Sequence, residues 1–189
     1  MSSPEKGNFL DSSLKLFRYY KSLGEKAIAQ LSDEEVLRKP NNESNSIALI
    51  VRHLSGNMMS RFTDFLTTDG EKPWRDRESE FDVAYSDKTA MMAAWEKGWA
   101  CFFEAVEPLK ESDLQTIIYV RNEGQTVTDA LLRQLAHYAS HIGQIIYQAK
   151  ILKGESFTTL SIPKGGSAEF NKGKFGQEMG QRLFTEEKK

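Results

Sequence analysis

The sequence predicts an all-α protein: a four-helix bundle with long loops and an extended C-terminal segment. Three observations lead there. Four long stretches carry apolar residues at spacings of three, four or their sums, the period of a helix with one buried face. Capping and stopping residues fall at the ends of those stretches. The stretches, about 20–27 residues each, are joined by non-trivial loops, and no internal repeat interrupts them.

The first helix is expected from about Asn8 to Leu31, with Leu10, Leu14, Phe17, Leu23, Ala27 and Leu31 inward and Tyr20 beside them. Ser32-Asp33-Glu34-Glu35 then reads as a capped short turn of helix. Lys39-Pro40-Asn41-Asn42 is a loop by composition. The second helix opens at Asn45 or Ser46 and runs to about Leu66, with Ile47, Ile50, Leu54, Met58, Phe62 and Phe65 as its inward stripe. Thr67-Thr68-Asp69-Gly70 stops it, Gly70 being free to turn left-handed.

A long ordered loop follows from Glu71 to Ser86. Its run from Lys72 to Glu78 mixes both signs and reads as a salt-bridged loop, the alternative being a lid near the end of the second helix. The third helix spans about Asp87 to Val106, between an Asp N-cap and Pro108, with Met91, Ala94, Trp95, Phe102, Ala105 and Val106 inward. Thr116 to Val120 is β-prone and, with Asn122-Glu123-Gly124 after it, predicts a strand or hairpin arm. The fourth helix starts after Thr126, runs to about Leu152 and closes at Gly154. Six of the 13 glycines lie from Gly154 onward, with Leu160, Ile162, Phe170, Phe175 and Phe184 spread among them. This reads as an extended segment with a few anchors that then frays. Residues 1–175 are therefore expected to form one domain and 176–189 a partly mobile tail.

Composition removes several function classes. The 189 residues carry 25 Lys plus Arg and 27 Asp plus Glu, a net charge of −2 with both signs interspersed. That offers no basic patch for nucleic acid. The lone Cys101 makes neither an intramolecular disulfide nor a thiolate zinc site, and beside Phe102 it reads as an inert core thiol. No apolar run reaches the ~18 residues of a membrane span. MSSPEKGNFL has no basic segment leading into an apolar stretch, so a cytoplasmic protein is expected.

The three histidines carry the chemistry. His137 and His141 are four apart on the fourth helix, so they stand one turn above each other on one face. His53 lies well inside the second helix. Three imidazoles from two facing helices can hold one metal ion in a bundle. On a helical wheel Gln134, His141, Gln144 and Gln148 cluster with His137, and Asn57, Ser60 and Asp64 share the edge of His53. Both histidine faces thus border the apolar stripes, which places the site at the rim of the core. The competing reading is plain: a lone histidine at a core edge is usually a hydrogen-bonded structural residue, and His-x-x-x-His recurs by chance. The metal reading rests on all three histidines falling at corresponding positions. There is no His-Glu-x-x-His motif, no Gly-rich phosphate loop and no Ser–His–Asp arrangement. Trp74, Trp95 and Trp99 read as core or loop anchors.

Three stretches carry a family resemblance. They are Asn45-Ser46-Ile47-Ala48 continuing through Val51-Arg52-His53-Leu54-Ser55-Gly56-Asn57 to Ser60-Arg61; Asp69-Gly70-Glu71-Lys72-Pro73-Trp74-Arg75; and Gln134-Leu135-Ala136-His137 with His141-Ile142-Gly143-Gln144-Ile145, then Leu160-Ser161-Ile162-Pro163-Lys164-Gly165. Over about residues 8 to 175 the chain resembles the DinB/YfiT-like metalloenzyme superfamily, in a branch that is a domain of unknown function. The resemblance implies an antiparallel four-helix bundle with a long crossover. It implies a divalent metal, zinc or nickel, on His53, His137 and His141, with water completing the sphere. It also implies a homodimer. Some members of that superfamily are thiol-dependent transferases and others are described as metal-dependent hydrolases. The thiol-binding motif of the transferases does not align here.

The expected function is therefore a metal-dependent enzyme that activates a water or a small thiol against a small-molecule substrate, as transferase or hydrolase. Asn57, Gln134 and Gln144 are the candidates for polar groups around the site. None is a good base, so the activated water or thiol itself must be the nucleophile. The alternative is a non-catalytic, metal-stabilised bundle acting as a dimeric binding or stress-response protein.

Overall fold

The structure, a computed structural model, describes residues 9–82, 85–180 and 185. It is mostly helical with one small hairpin. The order is α1 (Phe9–Ala29), α2 (Asp33–Leu37), α3 (Ile47–Phe62), α4 (Lys88–Val106), β1 (Ile117–Val120), β2 (Glu123–Thr126), α5 (Val127–Lys153) and α6 (Ser167–Phe175). No helix among the described residues is long and apolar enough to cross a membrane.

The long helices begin where the capping residues fall. Ser46, Asp87 and Thr126 each accept a backbone N–H three residues on, and Ser32 with Glu35 closes a reciprocal capping box on α2. α5 ends at Gly154, whose φ of 54° an L side chain rarely adopts. Helix α1 packs along α5, α3 along α4, and α3 also meets α5. Gly98 lets α4 approach α3: a Cβ there would sit 2.9 Å from the Ser55 Cα. Ser55 donates to the Ala94 carbonyl across the same contact at 2.7 Å. The core between the helices is aromatic, with Phe17, Trp95, Trp99, Phe102 and Tyr138 all buried. Phe17 and Phe102 stand 4.4 Å apart at their ring centroids.

Three expectations need correction, while the expected hairpin arm is present as β1 paired with β2. Helix α3 stops at Phe62 rather than near Leu66, because Thr63 turns extended and Asp64 takes a φ of 51°. The early stop lets the chain fold back, so that Gly70 N–H donates to the Tyr119 carbonyl at 2.8 Å and Ser60 donates to the Gly70 carbonyl at 2.7 Å. Gly70 is accordingly not a left-handed stop. A Cβ there would meet Val120 and Arg61 at 3.0 and 3.2 Å, so it is a close approach. The hairpin turn is Arg121-Asn122, both at positive φ, while Glu123 and Gly124 lie in β2. Two successive positive φ values are those of a type I′ turn, here without the usual glycine. Asp69 accepts the Arg121 and Asn122 N–H groups at 2.9 and 2.8 Å, which holds that turn.

The segment after Gly154 is not wholly extended, since α6 forms within it. Leu160 packs against the core, whereas Phe175 is 86% exposed and Ile162 is also exposed. Asn8 and Phe184 lie outside the described residues. Of the tryptophans, Trp95 and Trp99 are core residues, while Trp74 is 56% exposed on the loop after α3.

Candidate metal centre

His53 sits in mid-α3, and His137 and His141 in mid-α5, where the two helices meet. Their ring centroids are 5.3 Å (His53 to His137), 5.0 Å (His53 to His141) and 4.6 Å (His137 to His141) apart. The rings stand edge to face, and one nitrogen from each lies within 4.8 Å of the others. A tetrahedral ion with metal–nitrogen bonds of about 2.0–2.1 Å sets such nitrogens roughly 3.4 Å apart. The nitrogens are thus within an ångström or so of that spacing.

The protonation pattern suits a cation. Burial, then the neighbouring His141 and His53, pushes the His137 imidazole down to about 4. Burial also lowers His141, against the hydrogen bond to Gln144 that raises it. Both rings are therefore neutral at pH 7, with a lone pair to give. His137 Nε2 is buried and has no hydrogen-bond partner. Such an unpartnered buried nitrogen is costly in a folded protein unless something binds it. His141 Nδ1 lies 2.9 Å from Gln144 Oε1, so that ring donates at Nδ1 and leaves Nε2 free. The residues present thus suit a divalent ion: three nitrogen donors, two of them held neutral and one without any other partner.

The named polar residues divide. Gln144 reaches His141. Asn57, one turn beyond His53, is buried, but its carbonyl oxygen accepts the Tyr138 hydroxyl at 3.2 Å rather than an imidazole N–H. Gln134 is buried one turn before His137. Farther along these edges, Gln148 donates to the Asn45 carbonyl at 3.0 Å and Ser60 is tied to Gly70. Asp64 is exposed. Cys101 is partly buried, with its sulfur 3.6 Å from the Thr63 hydroxyl.

Two residues of the site escape a reading by helical spacing. His53 Nδ1 is 3.0 Å from Glu80 Oε2. Arg75 grips the same carboxylate with both prongs, Nε to Oε1 at 2.8 Å and a terminal nitrogen to Oε2 at 3.0 Å. Burial pushes the Glu80 carboxyl up, but the hydrogen bonds from His53 and Arg75 and the Arg75 charge outweigh it and hold it below the usual range. Phe81 stacks on the His53 ring with centroids 5.2 Å apart. The loop after α3 is thus salt-bridged, and its ion pair lies against the mid-helix histidine. Arg75 could have been suspected from the stretch Asp69–Arg75 that carries the family resemblance. Glu80 lies 27 residues from His53 with no periodic relation to it.

Comparison with known proteins adds family and fold. A family model described as "Protein of unknown function (DUF1572)" matches residues 5–166. A crystal structure of a conserved protein from Enterococcus faecalis is similar in fold, with a TM-score of 0.57 at 18% identity, covering 76% of this chain and 96% of that one. No curated protein matches.

Proposed function

The chain belongs to the DUF1572 family of proteins of unknown function, and we propose that it is a metal-dependent enzyme built on the three histidines. In this reading the four long helices form a DinB/YfiT-like antiparallel bundle, and His53, His137 and His141 hold a divalent ion, zinc or nickel. Three imidazole ligands leave such an ion open positions, and it supplies Lewis-acid activation of a water or a small thiol when bound. The substrate is a small molecule, and the reaction is hydrolysis or thiol transfer. The protein works as a cytoplasmic homodimer.

The observation that carries the reading is His137 Nε2: buried, unpartnered and grouped with the other two imidazoles. Around it the chain's own groups do defined work. Gln144 holds His141 by its Nδ1, and the α3–α5 contact sets the two helices that carry all three rings. No carboxylate other than Glu80 bonds an imidazole among the described residues, and Glu80 is occupied by Arg75. A free general base is therefore not part of the scheme.

A second reading, a non-catalytic ion that braces the bundle, is favoured by the ties of Glu80 and Phe81 to His53, which join the loop to α3. Metal analysis by mass spectrometry tests both. About one zinc or nickel per chain is expected, lost in His137→Ala. Removal by chelator should lower the melting temperature modestly and abolish hydrolase or transferase activity that added metal restores. Global unfolding on chelation favours the bracing ion instead. A native protein that holds no metal and takes up neither ion overturns both readings.

A further inference from the structure

We infer that Glu80 is a positioning residue that selects which nitrogen of His53 is offered to the metal, with Arg75 and Gly56 holding it in place. The inference rests on the metal centre proposed above. An ionised carboxylate only accepts hydrogen bonds. With Oε2 at 3.0 Å, His53 must therefore carry its proton on Nδ1 and donate it. Nε2 is then the nitrogen left to give its lone pair to a metal. A carboxylate behind a histidine ligand fixes tautomer and ring angle and raises the basicity of the ligating nitrogen.

Three features keep Glu80 at this task. Arg75 binds both of its oxygens in a fork, and the two side chains are only 2% and 6% exposed. A planar guanidinium matches a carboxylate in a way that a lysine does not. Gly56 on α3 supplies the room, since a Cβ there would lie 2.2 Å from Glu80 Oε1. Phe81, next in sequence, stacks on the His53 ring and limits its rotation. The three histidines are thereby held in different ways: His53 by a charged, buried pair, His141 by the neutral amide of Gln144, and His137 by neither.

Glu80→Gln tests this on the full chain. Glutamine keeps the size but can present an N–H₂ group to His53, which favours the opposite tautomer. Zinc titration against a competing chelator should show a 10- to 100-fold weaker affinity than the wild type. In the metal-free proteins, at a pH high enough that the ring has lost one proton, the ¹⁵N shifts of His53 should report a bare Nε2 in the wild type and a shift toward protonated Nε2 in the variant. A merely structural Glu80 would leave those ring shifts unmoved. Wild-type zinc affinity with an unchanged His53 tautomer in E80Q overturns the inference and leaves the metal centre standing. A wild type that binds no zinc overturns the centre itself, and the inference with it. Should E80Q not fold, the wild-type spectrum decides alone, because protonated Nε2 on His53 contradicts the inference.

Discussion

Gly56 and Gly143 are both helix-interior glycines, and the structure assigns alanine opposite effects at the two positions. A helix gains about 1 kcal/mol when an interior glycine becomes alanine. At Gly143 on α5 nothing lies within 4 Å of the added Cβ, so that gain stands. At Gly56 the Cβ falls 2.2 Å from Glu80 Oε1 and 3.0 Å from its Cδ. A side-chain tip can usually move aside, but this one is buried and held by Arg75 and His53. Displacing it breaks a buried ion pair, worth about 3–5 kcal/mol when one partner is lost. Set against the helix gain, Gly56→Ala should cost about 2–4 kcal/mol. At about 2–4 °C per kcal/mol for a chain of this size, the melting temperature falls by about 4–16 °C, while Gly143→Ala raises it by about 2–4 °C. Urea and thermal unfolding of the two metal-free variants measure this directly. If both stabilise equally, Glu80 does not lie over Gly56 and the arrangement behind His53 is wrong.

Two other perturbations separate the site from its surroundings. His137 is held at about 4 in the folded chain against an ordinary 6.5. Between those pH values the unfolded chain binds a proton that the folded chain does not. Metal-free protein therefore loses stability as pH falls through that window, and His137→Gln should flatten the loss by about 1–2 kcal/mol, the full shift being discounted for partial exposure. Unfolding at pH 7 and pH 4.5 measures it, and equal slopes in both proteins would sink the assignment. Asp69 is held at about 2 by the backbone N–H groups of Asn122, Glu71 and Arg121. Asp69→Asn, with one acceptor oxygen in place of two, should speed hydrogen exchange at Arg121 and Asn122 while leaving zinc affinity unchanged.

What was legible in the sequence is what periodicity and caps encode. The apolar positions Phe17, Leu54, Met58, Trp95 and Ile142 fall in the core because a 3.6-residue period has one buried face. Ser46, Asp87 and Thr126 cap their helices by local hydrogen bonds that involve only three residues. The grouping of His137 with His141 is likewise local, and His53 joins them because α3 and α5 pack together. Most of the illegible features depend on contacts distant in sequence. The early end of α3 goes with Gly70 docking on Tyr119, and the glycine-free turn at Arg121-Asn122 is held by Asp69. Glu80 reaches His53 through a loop whose charges could pair in many ways. Helix α6 buries none of its residues, so no apolar stripe announces it.

The division of labour inside the fold bears on what an ion would be for. Phe17, Trp95, Trp99, Phe102 and Tyr138 close the centre of the molecule with apolar and aromatic contacts that involve no histidine lone pair. A core of this size sets the chain apart from the small domains that unfold without an ion. The histidines instead occupy its edge, and two of the three are only partly buried. A bracing site gains by enclosing its ion with a full set of protein ligands, whereas this one, among the described residues, groups three nitrogens with no fourth histidine, cysteine or acidic donor. Even the nearest carboxylate is turned away from that role, since Glu80 accepts from Nδ1 of His53 and from Arg75. An incomplete ligand set at the edge of a large core fits the proposed reading of an ion that acts on something brought to it.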